Sequence, residues 1–116
     1  MKHFIVISHG SHSPQTKEEV KRLVAELKKR TTSGQVSYAF LEIEVPSIPL
    51  AIDDSVKRGA SEIVLVLNFL NSGKHVDQDI PGIVKEAKKR HPHVPVSMTT
   101  PVGQHTKIVD LFLDMM

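Results

Sequence analysis

The 116-residue sequence contains no cysteine, no tryptophan and only five other aromatic residues. The lack of cysteine excludes disulfides, thiolate catalysis and thiolate-bound zinc or iron–sulfur clusters, and it agrees with a reducing cytoplasm. With 15 Lys and Arg against 13 Asp and Glu, the formal net charge is only +2. Since nucleic-acid binding usually relies on a strong basic patch or on base-stacking aromatics, we expect no nucleic-acid partner.

Long apolar runs are also lacking. The longest apolar stretch, residues 63–70, is interrupted by Asn68 and is far too short to cross a bilayer. The first residues lead directly into a short strand-like segment and show no secretion signal. We therefore expect a cytoplasmic protein without a membrane partner. The length predicts a single domain over residues 1–116 that can bury a core without disulfides.

Strand-like and helical patterns alternate along the chain. The predicted strands cover residues 3–8, 36–43, 62–69 and 94–98. The predicted helices cover residues 14–30, 46–58, 76–90 and 105–115. In the first helix the apolar residues recur at the i, i+3, i+4, i+7 spacing, and Pro46 suits the first turn of the second helix.

The alternation predicts an α/β fold with a single open parallel sheet and helices on both faces. The first and third strands are continuously apolar, which is typical of central strands covered on both sides. The second strand alternates more, and the fourth contains Pro95, which favours an edge position. The predicted strand order is therefore 2-1-3-4.

Histidines follow the two central strands of this order. His9 comes directly after the first strand and His75 comes a few residues after the third. Because ligands bind where the strand order switches, both imidazoles should face one crevice. Two imidazoles at one site can bind a divalent metal ion or carry protons near neutral pH. Glu42, near the end of the second strand, should lie on the same rim and is a candidate third metal ligand.

Four short motifs follow the four strands in turn, and their order and spacing are distinctive. They are Ser8-His9-Gly10-Ser11; Phe40-Leu41-Glu42 with Pro46-Ser47-Ile48; Phe69-Leu70 with Gly73-Lys74-His75-Val76 and Asp79-Ile80-Pro81; and Pro101-Val102-Gly103 with His105. Together they resemble the sirohydrochlorin chelatase family over essentially the whole chain. The likeness is to the short, single-domain type, related to the cobaltochelatase of cobalamin synthesis, the ferrochelatase of siroheme synthesis and the nickel chelatase of coenzyme F430 synthesis.

The resemblance implies a lyase that inserts a divalent metal ion into the tetrapyrrole sirohydrochlorin. His9 and His75 match the two catalytic histidines and would deliver the metal and accept the pyrrole protons. The expected metal is cobalt, with iron and nickel as alternatives, and it is a substrate, so no organic cofactor is expected. The short members of the family work as homodimers, and we expect the same here.

Sirohydrochlorin carries eight carboxylates, which backbone N–H groups, hydroxyls and a lysine near helix N-termini can bind. The predicted substrate-binding residues are Gly10, Ser11, His12, Ser72, Gly73 and Lys74. The chain also departs from the family pattern at three positions: Val45 replaces a second acid, Asn68 replaces a proline, and His12 replaces an arginine. The departure at Val45 leaves Glu42 as the better carboxylate candidate.

Two alternatives to a chelatase use the same histidines. One is a metal or tetrapyrrole carrier without catalytic activity. The other is an enzyme like the histidine phosphatases, with His9 as the nucleophile, although Ser8 stands where those enzymes have an arginine.

Overall fold

A parallel sheet of four strands forms the centre of the structure, a computed structural model that describes residues 1–116. The strands are β1 (Lys2–Ser8), β2 (Gly34–Phe40), β3 (Glu62–Leu67) and β4 (Val96–Met98). The α-helices are α1 (Pro14–Arg30), α2 (Ile48–Lys57), α3 (Ile80–Arg90) and α4 (Ile108–Met115). No helix combines the length and the apolar character that crossing a membrane requires.

The strand order is β2-β1-β3-β4, and all three pairings are parallel, so the predicted order is confirmed. Ser8 at the end of β1 pairs with Phe40 at the end of β2, and Ile7 pairs with Leu67 at the end of β3. The carboxyl ends of these strands are therefore level. Loops that follow them emerge side by side along one rim of the sheet.

Helices cover both faces of the sheet, as predicted. On one face, Ile5 and Ile7 of β1 and the alternate residues of β3 pack beneath α2 and α3. On the other face, Val6 and neighbouring residues pack against Val20 and Val24 of α1. These two layers make β1 the most enclosed strand. The assignment of residues 1–116 to one domain stays a prediction.

The segment between β2 and α2 differs from the prediction. The second strand ends at Phe40 instead of residue 43, because Ile43 has a φ of 71°, which an extended strand does not allow. The second helix begins at Ile48 instead of Pro46. Ser47 forms its N-cap and its hydroxyl accepts the Leu50 N–H. Residues 41–47 therefore form a loop, which carries Glu42.

The third predicted helix, over residues 76–90, consists of two parts. A π-helical turn spans His75–Asp79, and α3 follows it. The Ile80 N–H donates to the His75 carbonyl, five residues earlier. Pro81 lacks an N–H, so the regular hydrogen bond to residue 77 cannot form, and this proline favours a wider turn at the helix start.

The fourth strand and the last helix are also shorter in the structure than predicted. The fourth strand begins at Val96 instead of residue 94, because Pro95 cannot donate a hydrogen bond to the ladder. The last helix begins at Ile108 instead of residue 105. A 3-10 turn over Val102–Gln104 and an extended His105 precede it. The remaining strand ends differ from the predictions by one or two residues.

Candidate metal centre

Three side chains with metal-binding atoms meet at the rim of the sheet: His9, Glu42 and His75. One donor atom from each lies within 4.8 Å of the other two. His9 directly follows β1, Glu42 lies in the loop after β2, and His75 is the first residue of the π-helical turn after β3. The His9 and His75 ring centroids are 4.9 Å apart, and Glu42 Oε1 lies 2.6 Å from His9 Nε2.

Backbone contacts between two loops place Glu42 beside His9. The Leu41 N–H donates to the Ser8 carbonyl at 2.9 Å, and the Glu42 N–H donates to the His9 carbonyl at 3.0 Å. Gly10 has a φ of 104°, and a Cβ at this position would overlap the Glu42 carbonyl oxygen. The glycine therefore allows both the turn after His9 and the close approach of the second loop.

Asp79 fixes the orientation of His75. Its Oδ2 atom lies 2.7 Å from His75 Nδ1. With Nδ1 occupied by the carboxylate, Nε2 is the atom left for a metal ion, an arrangement common around metal-bound histidines. The sequence prediction assigned Asp79 no role, although residues four apart on a helical segment are neighbours and this spacing was the available signal.

Glu44 is a second acidic residue that the prediction missed. Its Oε1 atom accepts the Ser11 N–H at 3.1 Å, and its Oε2 atom is buried without a hydrogen-bond partner. This contact ties the loop after β2 to the turn that carries His9. The Ser11 N–H, predicted to bind substrate, is therefore already engaged. No local sequence pattern marks Glu44, because the contact depends on the irregular path of residues 41–47.

The donor set is accessible to solvent. The side chains of His9, Glu42 and His75 are 44%, 52% and 45% exposed. Donor atoms in a tetrahedral site with bonds of 2.0–2.1 Å are about 3.3 Å apart. A metal ion would therefore replace the short His9–Glu42 contact, and the three donor atoms, which lie within 4.8 Å of one another, would adjust to this spacing. Three protein ligands leave at least one coordination position open.

The other predicted site residues surround this cluster without joining it. His12 and His105 are not among the converging donor atoms, and the His105 Nδ1 atom accepts the Lys107 N–H. Lys74 is exposed and forms no ion pair or side-chain hydrogen bond. Ser72 lines a cavity of about 420 Å³ between the end of β4 and the start of α3. A Cβ at Gly73 would meet only open space.

A larger cavity, of about 750 Å³, lies elsewhere, along the free edge of β2 between α1 and α2. His3 lines it and is 4% exposed. Burial lowers the pKa of His3, with the N-terminal amine and Arg58 acting in the same direction and Asp54 opposing them. The three converging side chains do not line this cavity, and their half-exposed side chains place the candidate metal centre at the protein surface.

Comparison with known proteins shows which proteins this chain is similar to. A family model described as CbiX matches residues 3–116. The sirohydrochlorin cobaltochelatase of Methanococcoides burtonii is 30% identical, with 95% of this chain and 90% of that protein aligned. The chloroplastic sirohydrochlorin ferrochelatase of Arabidopsis thaliana is also 30% identical, over 95% of this chain but 49% of its own length.

The fold matches a solved chelatase structure. The sirohydrochlorin chelatase SirB of Bacillus subtilis subspecies spizizenii, in complex with cobalt, superposes with a TM-score of 0.87 at 25% identity. The alignment covers 98% of this chain and 49% of SirB. This chain thus spans nearly the whole of one relative and about half of two longer ones.

Proposed function

The chain belongs to the CbiX family, and from this premise we propose that it inserts a divalent metal ion into sirohydrochlorin. The observation that carries the proposal is the convergence of His9, Glu42 and His75 at the ends of three adjacent strands. Relatives named as sirohydrochlorin chelatases support both the reaction and the tetrapyrrole substrate. A cytoplasmic location stays a prediction from the sequence.

The reaction has two requirements: delivery of the metal ion to one face of the macrocycle and removal of two N–H protons. In the proposed mechanism His9, His75 and Glu42 bind the ion through neutral imidazoles and a carboxylate. As the ion moves to the pyrrole nitrogens, the freed imidazoles accept the protons. Asp79 keeps the His75 ring oriented throughout, because its carboxylate holds the Nδ1–H.

Cobalt is the metal that we propose first. Relatives are named as cobaltochelatases and as ferrochelatases, and a SirB structure contains cobalt. Two imidazoles and one carboxylate suit cobalt, iron and nickel alike. Parallel assays with the three ions would therefore identify the preferred substrate.

Lys74 is our candidate for binding a substrate carboxylate. It directly precedes His75, and its ammonium group has no acidic partner in the structure. An exposed contact of this kind contributes about 1 kcal/mol. Lys74→Glu should therefore raise the Michaelis constant for sirohydrochlorin several-fold, more at low salt than at high salt, while kcat changes less. An unchanged Michaelis constant at low salt would mean that Lys74 makes no contact with the substrate.

A homodimer would give the open site a second wall. Next to His75 the loop after β3 exposes apolar surface, with Leu70 63% exposed and Phe69 half-buried. A planar tetrapyrrole on this surface would leave one face in water in a monomer. We propose that two copies face each other across a common cavity.

The decisive experiment mixes metal-free protein with sirohydrochlorin and Co²⁺ and follows visible absorption. A chelatase produces many equivalents of product per protein, whereas a carrier stops near one equivalent. An enzyme of the histidine-phosphatase type produces no absorption change. His9→Ala and His75→Ala should each lower turnover severely. If the two histidines act as a unit, the transition-state stabilisation lost in the double variant should be much smaller than the sum of the losses in the two single variants.

His93→Ala is the matched control, since His93 is an exposed histidine outside the converging cluster. It should retain full turnover. The proposal fails if both His9→Ala and His75→Ala turn over like the His93 variant.

A further inference from the structure

Asn68, the first residue after β3, makes two hydrogen bonds to the end of β1, just before His9. Its backbone N–H donates to the Ile7 carbonyl at 2.8 Å, and its side-chain Nδ2 donates to the Ser8 hydroxyl at 3.0 Å. The first bond continues the β1–β3 ladder, in which Ile7 pairs with Leu67. The second bond reaches one residue further. Asn68 therefore joins the two central strands at the point where the chain leaves β1 for the candidate metal centre.

Ser8 is a buried residue whose backbone is engaged on the opposite side. It is 5% exposed. Its carbonyl accepts the Leu41 N–H from the loop after β2, and the His9 carbonyl accepts the Glu42 N–H from the same loop. The backbone of Ser8 and His9 is thus held from the β2 side, whereas the Ser8 hydroxyl is held from the β3 side by Asn68.

The residues that follow Asn68 are fixed on their other side, next to the turn after β4. The Gly103 N–H donates to the Phe69 carbonyl at 3.0 Å. A Cβ at Gly103 would overlap the Leu70 backbone, so the two segments are in close contact. The loop that leads to His75 is therefore held at its start. Asn68 has a fixed support when it holds the end of β1.

The distance between the two central strands matters for metal binding. The His9 and His75 ring centroids are 4.9 Å apart, and one donor atom from each lies within 4.8 Å of the other. A binding site works well only when its groups are held within about 0.5 Å of the productive geometry. The bond from Asn68 to Ser8 is the last one that joins β1 to β3 before the chain reaches His9.

We propose that Asn68 is a positioning residue of the candidate metal centre. Its side-chain amide holds Ser8 and thereby sets the spacing of His9 from His75. This inference rests on the proposed function, because it concerns the same two histidines. Asn68 would act through the Ser8 hydroxyl and not as a ligand of the ion.

The size of the effect follows from the distance at which Asn68 acts. Asn68→Ala leaves the buried Ser8 hydroxyl without its donor, which is costly unless the end of β1 moves. His9 directly follows Ser8 and would move with it. A group that hydrogen-bonds a metal ligand directly contributes on the order of tenfold or more to metal affinity. Since Asn68 acts from one residue further away, we expect a several-fold loss.

The test measures Co²⁺ binding to the full chain without tetrapyrrole. Competition with a coloured chelator gives the affinity, and the visible absorption of bound Co²⁺ reports its coordination geometry. Asn68→Ala should lower the affinity several-fold and change the absorption spectrum at saturating Co²⁺. Asn71→Ala is the matched control, because Asn71 is an exposed asparagine of the same loop whose side chain makes no hydrogen bond. It should leave the affinity and the spectrum unchanged.

Ser8→Ala tests whether the effect passes through the Ser8 hydroxyl. If it does, Ser8→Ala should reproduce the spectral change, and the double variant should bind Co²⁺ about as tightly as either single variant. Additive losses would overturn the proposal, because the two side chains would then act independently. A lower urea unfolding midpoint of Asn68→Ala with an unchanged Co²⁺ spectrum would also overturn it, because the role of Asn68 would then be one of stability alone.

The same measurements separate this inference from the proposed function. If the wild-type chain binds Co²⁺ and Asn68→Ala behaves like the Asn71 variant, the positioning role is overturned while the metal centre stands. If the wild-type chain binds no Co²⁺, the metal centre itself is refuted, and the proposed function and this inference fail together.

Discussion

The contact between Asp79 and His75 leads to a prediction about metal binding. It distinguishes the orientation of the His75 ring from the negative charge of the Asp79 carboxylate. Asp79→Asn preserves the size of the side chain but removes the carboxylate that holds His75 Nδ1 at 2.7 Å. The amide can present either its oxygen or its NH2 group to the ring. The imidazole then loses its fixed tautomer, and Nε2 is no longer held as the metal-binding atom. Affinity for the metal ion should fall.

The geometry limits the size of the effect. Hydrogen bonds to charged groups contribute about 1.5–3 kcal/mol when well protected. The two side chains are 45% and 37% exposed, so solvent screening places this contact at or below the lower end of that range. About 1.4 kcal/mol corresponds to a tenfold change in a dissociation constant. We therefore expect Asp79→Asn to weaken Co²⁺ binding about tenfold.

The assay is a competition titration of Co²⁺ against a coloured chelator, without tetrapyrrole. Asp77→Asn is the matched control, because Asp77 is an exposed carboxylate of the same π-helical turn whose side chain makes no hydrogen bond. It removes the same charge while leaving the His75 contact intact. If the two variants weaken binding equally, the effect is one of net charge and the proposed orientation of His75 by Asp79 is refuted.

Three further changes test other parts of the structure. Gly10→Ala should destabilise the loop and weaken Co²⁺ binding, whereas Gly73→Ala, which has open space at its Cβ, should do neither. Urea unfolding would measure the stability of both variants, and a Co²⁺ titration would measure their metal binding. Burial lowers the pKa of His3, so the unfolded chain takes up a proton more readily than the folded protein. The free energy of unfolding should therefore fall as the pH drops below about 6.5, and it should fall less in His3→Leu. Urea unfolding midpoints measured across this pH range would test the difference. Glu44→Ala should weaken Co²⁺ binding more than Glu44→Gln, which still accepts the Ser11 N–H; equal losses in a titration would exclude a role for that bond.

The strand order was predictable because it depends on strong signals. Continuous apolar runs mark central strands, and a proline marks an edge strand. Together they place the loops after β1 and β3 next to each other. The proximity of His9 and His75 in the structure follows from this topology alone.

Other features depend on contacts that no local pattern encodes. The loop of residues 41–47 turns at Ile43, a residue type that rarely adopts a positive φ. Its path is determined by hydrogen bonds to the turn after β1, which lies over thirty residues earlier in the sequence. The π-helical turn at His75 likewise looks like regular helix in sequence. Glu44 was missed because the path of its loop could not be predicted, whereas the four-residue spacing of His75 and Asp79 was a signal that the sequence prediction did not use.

The openness of the site fits what a chelatase must do with its metal. Structural zinc sites use four protein ligands and hold the ion permanently, whereas sites that exchange a ligand keep a position free. His9, Glu42 and His75 provide three donor atoms on half-exposed side chains, and Glu42 lies in an irregular loop. Such a site can bind an ion and then release it as pyrrole nitrogens replace the protein ligands one at a time.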